Sequence, residues 1–76
     1  MAVKEINLFY EVIDILIEFI RLHSEYICLH QSDFSDVLNR LGVQFYFNKG
    51  YPTAKACFWI SHMLGDKHAY RNYLCI

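Results

Sequence analysis

Four histidines (His23, His30, His62, His68) and three cysteines (Cys28, Cys57, Cys75) are the side chains best suited to chemistry in this 76-residue sequence. Their spacing decides against most of it. Cys28 and His30 stand two apart and Cys57 and His62 five apart, and neither step belongs to the paired ligand spacings of a zinc site. Glycine-rich phosphate loop, nucleophile elbow and HExxH patterns are all missing. Acids, bases and nucleophiles occur singly, and a helical chain this short has little room for a ligand-sized pocket. The reading is a protein that is not an enzyme and that uses no metal, cofactor or small-molecule substrate.

The elements that carry these residues read as mainly α. From about residue 4 to residue 29 no Gly or Pro interrupts a helical pattern. Polar residues fall on one stripe, Lys4, Asn7, Glu11, Asp14, Glu18, Arg21 and Glu25, at alternating steps of three and four. Two apolar seams share that rhythm. One is Ile6, Phe9, Ile13, Leu16, Ile20, His23 and Ile27; the other is Leu8, Val12, Ile15, Phe19, Leu22, Tyr26 and Leu29. An apolar surface that wide must be covered on two sides. A straight helix of 26 residues spans about 39 Å, longer than the roughly 30 Å globule that so short a chain forms. Self-association resolves both problems: one seam packs on the same chain and the other on a second copy. The expected dimer interface is Ile6, Phe9, Ile13, Leu16, Ile20 and His23, with parallel and antiparallel pairing both open. A break near His23-Ser24 that folds the end of the helix back is the alternative. His23 and His30, seven apart, would make a paired seam sensitive to pH.

After this helix, Ser32 reads as an N-cap for a short helix over residues 33–41, with Asp33 and Asp36 suiting its dipole and Gly42 closing it. Val43-Gln44-Phe45-Tyr46-Phe47 reads as a short strand or an ordered aromatic loop, ended by the turn signal Asn48-Lys49-Gly50, the whole connection running over 43–51. Pro52 suits the first turn of a helix over 53–64, whose inner face is Ala56, Cys57, Ile60, Met63 and Leu64, with Lys55, Trp59 and His62 outward or at an interface. Gly65 stops it, and Asp66 caps a last helix over 67–74. One domain holds all of this.

Composition narrows the function. The chain is 55% hydrophobic and 17% aromatic with 20% charged residues, which excludes a disordered tail or linker. Its net charge of −1 argues against a generic polyanion binder, yet the halves are electrically opposite. Residues 1–39 set Lys4 and Arg21 against seven acids, a balance of −5; residues 40–76 set Arg40, Lys49, Lys55, Lys67 and Arg71 against Asp66, a balance of +4. An odd, unpaired set of cysteines, an N-terminus without a signal-peptide charge pattern and apolar runs too short for a membrane span lead to a cytoplasmic expectation.

Two classes of function follow. The first is a homodimeric protein-interaction module that binds and modulates, or inhibits, a larger protein. Small cofactor-free chains of this kind are frequent among those that phages and mobile elements encode. Exposed Tyr46, Tyr51 and Trp59 would supply anchoring area, and Glu11, Asp14 and Glu18 an acidic face for a basic partner. The second class rests on the order short helix, Leu41-Gly42-Val43, turn, Thr53-Ala54-Lys55 helix. That order resembles a helix-turn-helix over about a third of the chain, and implies a dimeric nucleic-acid-binding regulator. Arg40, Lys49, Thr53, Lys55, Lys67 and Arg71 are then its contact residues. A nine-residue connection and a recognition helix with one cation weaken it.

Overall fold

The helix Tyr51–Met63 is the hub around which the rest of the chain is arranged. In the computed structural model, which describes residues 2–76, it is the fourth of five helices: α1 (Val3–Leu22), α2 (Ser24–Leu29), α3 (Gln31–Phe47), α4 (Tyr51–Met63) and α5 (Ala69–Leu74). Among the described residues there is no strand. Pro52, Ala54, Ala56, Cys57, Phe58, Ile60 and Ser61 of α4 are buried. Small residues on several sides let α1, α3 and α5 each pack on it, so α4 carries little amphipathic signal of its own.

The expected helix over 4–29 is broken at His23. Its backbone there (φ −118°, ψ 32°) leaves the helical region, and His30 repeats the break seven residues on (φ −123°, ψ 33°). The hydrogen bonds from the His23 N–H to the Phe19 carbonyl and from the Ile27 N–H to the His23 carbonyl persist across the first bend. Each histidine ring packs on the aromatic ring one turn earlier, His23 on Phe19 and His30 on Tyr26, both with centroids 4.5 Å apart. The reason for the bend is burial. A straight 26-residue helix would overhang a molecule whose longest extent is 36 Å, whereas turning at His23 carries Ile27 into the core.

The short helix expected over 33–41 is also revised. α3 starts at Gln31, runs through Gly42 and ends at Phe47, so residues 43–47 are helical and neither a strand nor a loop. Ser32 lies inside it and is not a cap; its carbonyl accepts from the Ser35 hydroxyl at 2.9 Å. Gly42 is buried against α4, where a Cβ would stand 2.5 Å from Cε1 of Phe58. Glycine serves close helix approach here and not termination, and packing on α4 overrides the β propensity of the aromatic run.

The turn does fall at Asn48-Lys49-Gly50. Lys49 takes the left-handed conformation (φ 64°) and the Gly50 N–H closes on the Phe45 carbonyl at 2.7 Å. Gly65 (φ 104°) follows α4, and the Asp66 carboxylate accepts from the backbone N–H groups of His68 and Ala69. Met63 points outward, contrary to the expected inner face, and the buried Ser61 takes that role. Its hydroxyl donates to the Ser35 carbonyl at 2.5 Å, tying α4 to α3. Asn72 of α5 donates to Asn39 of α3 at 3.0 Å.

Candidate functional site

The seam expected to form a dimer lies mostly against the chain's own α4. On α1, which packs on α4, the half-buried positions are Glu5, Phe9, Val12, Ile13, Leu16 and Ile20; Ile6 and His23 are exposed. The face left open is the second seam, Leu8, Ile15, Phe19 and Leu22, with Tyr26 and Leu29 continuing it on α2. Phe19 also stacks on Phe34 of α3 at 5.9 Å, and Tyr26, Phe34 and Val37 share the walls of a shallow hollow. Apolar contact therefore links α1 to α3 at Phe19–Phe34, with the polar His30 and Asp33 on the rim of the hollow beside it. Beside the open face, Glu11, Asp14 and Glu18 are exposed as expected of a solvated stripe. Glu18 accepts from Arg21 Nε at 3.1 Å, and that bond raises the guanidinium pKa.

The three expected anchors Tyr46, Tyr51 and Trp59 fall into two separate groups. Tyr46 and Tyr51 face each other across the α3–α4 turn with centroids 5.5 Å apart, and Phe47 meets Tyr46 edge-on at 5.7 Å. Tyr46 and Phe47 rim an apolar hollow of about 270 Å³ shared with Val43, Phe58, Asn72 and Cys75. Trp59 belongs to a second group on α4 and α5: it lies 5.7 Å from His62 and 5.2 Å from Tyr73, while His62 lies 4.8 Å from Tyr70. Tyr70 and Tyr73 were legible only as helix-face residues, since nothing in the sequence says that α5 folds back on α4.

The candidate nucleic-acid residues are dispersed. Arg40 pairs with Asp36 at 3.1 Å, and Lys55 Nζ sits 4.6 Å over the Tyr73 ring. Thr53 is half-buried; Lys49, Lys67 and Arg71 are exposed on the turn, the α4–α5 connection and α5. One correction runs the other way: the connection between α3 and α4 is the three residues Asn48–Gly50, not nine. It matches a helix-turn-helix connection in length. The helix in the recognition position, however, is the most buried in the molecule.

No group of three or more His, Cys, Asp or Glu that could hold a metal ion occurs among the described residues. Cys28 and Cys75 are exposed free thiols, whereas burial pushes the Cys57 thiol up to about 11. An open polar hollow of about 590 Å³ lies between the start of α3 and the α4–α5 connection, lined by Gln31, Asp33, Asp36, Asp66 and Lys67 among others. No described helix is long and apolar enough to cross a membrane. Comparison with known protein families, curated proteins and solved structures returned no match.

Proposed function

We propose that this chain is a non-catalytic interaction module, a homodimer that binds and modulates a larger protein. The observation that carries the reading is the open apolar face of α1 and α2, on a molecule whose hub helix is already enclosed. Contiguous apolar surface of this extent marks an interaction site. That face suits a second copy. The Tyr46–Tyr51 pair and the exposed Phe47 ring beside the apolar hollow suit the larger partner, because rigid aromatic anchors next to a pocket dominate interface energies. Small size and the absence of grouped catalytic residues fit an inhibitor of the kind phages and mobile elements encode.

Copurification from the native host with a tagged chain tests this. The parent chain is expected to retain a larger protein in fixed proportion, Tyr46→Ala with Tyr51→Ala to lose it, and Lys49→Glu to keep it. A chain that instead retains nucleic acid, lost on Lys49→Glu, overturns the reading. The three-residue α3–α4 connection favours that second reading, a helix-turn-helix regulator. Against it, Lys55 and Arg40 are already engaged within the chain, leaving few cations for the phosphate contacts that supply affinity.

A further inference from the structure

α3 divides in charge along its length. Asp33 and Asp36 stand near its start, and from Val37 to Gly65 the chain carries no acid. Asp66, the next acid, accepts from the backbone N–H groups of His68 and Ala69 and lines the polar hollow together with Asp33 and Asp36. The apolar hollow lies toward the other end of α3. Val43, Tyr46 and Phe47 wall it from α3, Phe58 from α4, and Asn72 and Cys75 from the end of α5, with no acid among them. α1, which carries four acids, packs on α4 and supplies no wall.

Three cations flank the same hollow. Helical spacing places Arg40 on the α3 face of Val43 and Phe47, three and seven residues before them, and Arg71 on the α5 face of Cys75, four residues before it. Lys49 follows Phe47 in the turn. Among the described residues Arg71 and Lys49 are in no ion pair, and Arg40 has only an exposed one with Asp36. The hollow is an apolar centre with positive surroundings.

Size and exposure narrow its occupant. About 270 Å³ is the space of roughly nine waters at ~30 Å³ each. That is enough for one large side chain and below the usual span of drug-sized ligand pockets. Phe47 is 75% and Tyr46 39% exposed, so a side chain entering beside them covers ring surface that now faces water. Three separate cations are few for a phosphate backbone and suit a short row of carboxylates.

We propose that the apolar hollow takes one bulky apolar side chain from an acidic segment of the larger protein, with Arg40, Lys49 and Arg71 meeting the carboxylates on either side of it. This rests on the interaction-module reading and names the chemistry of its partner.

Nuclear magnetic resonance titration of the full chain with three short synthetic peptides, at about 150 mM salt, tests this. One peptide has a single Phe flanked by Glu, the second replaces Glu with Lys, and the third replaces Phe with Ser. The acidic Phe peptide is expected to shift the amide signals of Val43, Phe47 and Cys75 and to bind about tenfold or more tightly than either of the others. Arg71→Glu is expected to weaken it about fivefold, and Lys49→Glu about threefold, too little to empty a copurification. Lys67→Glu, at the polar hollow, should leave it within about twofold. A Lys peptide that binds equally well, shifts centred away from the hollow, or no binding of the acidic peptide overturns this inference. Displacement of that peptide by oligothymidine does the same. Each of these leaves the interaction-module reading standing as long as the tagged chain still retains a larger protein; a chain that retains none overturns that reading as well.

Discussion

Gly42 of α3 lies directly against the ring of Phe58 of α4: a Cβ at position 42 would stand 2.5 Å from Cε1 and 2.7 Å from Cδ1 of that ring. Phe58 is buried, on the wall of the hollow it shares with Tyr46 and Phe47. Overpacking at such a contact costs about 1–3 kcal/mol. Gly42→Ala is therefore expected to lower stability by that amount in urea unfolding, despite its better helix propensity. Shortening the ring with Phe58→Leu in the same chain should recover part of the loss. A Gly42→Ala chain as stable as the parent would show that the two helices do not approach this closely.

Ser61 makes a second specific link between the same helices, its buried hydroxyl donating to the Ser35 carbonyl. Ser61→Ala removes the bond without enlarging the side chain and is expected to cost about 1 kcal/mol, the net worth of one hydrogen bond. Thermal unfolding reads this as a drop in Tm. An unchanged Tm would mean that the hydroxyl adds nothing to α3–α4 packing.

The cysteines divide by burial. Cys28 and Cys75 are exposed, while desolvation raises the Cys57 pKa from 9.0 to about 11. Only the thiolate reacts, so a disulfide reagent at pH 8 is expected to titrate two thiols quickly and the third upon unfolding. The same shift has a consequence for stability. Above pH 9 the unfolded chain gives up a Cys57 proton that the folded chain keeps, so the folded state loses stability as pH rises through the interval up to about 11. Urea midpoints of the parent and Cys57→Ala chains across that interval check the sign: the parent should fall more steeply. Three equally fast thiols would contradict the buried placement.

Local punctuation was legible and tertiary choices were not. Pro52, Gly65 and Asp66 act through conformations or caps that each residue imposes on its own backbone, and the turn falls at Asn48-Lys49-Gly50, although Lys49 rather than Gly50 takes the left-handed conformation there. Gly42 was misread because a glycine after an apolar run suits both a helix end and a close helix crossing, and only Phe58 distinguishes them. The run Val43–Phe47 has strand-like residues, yet packing on α4 decides their conformation. The bend falls near His23-Ser24, where the alternative to a straight helix places it, although the periodicity continues through it and so does not choose between the two. The two seams of α1 have equivalent spacing, so which one meets α4 depends on the fold. Tyr46, Tyr51 and Trp59 are alike in the sequence as candidate anchors, and nothing in their types divides them. They are separated because Trp59 turns to α5 and Tyr46 stays beside the α3–α4 turn.

Light scattering behind a sizing column, with and without a random-sequence DNA duplex at about 50 and about 200 mM salt, tests the central claim most directly. A homodimeric interaction module elutes with twice the mass of the 9.1 kDa chain and ignores the duplex at both salts. A monomer, or a particle that moves onto DNA at the lower salt and leaves it at the higher, would contradict the account.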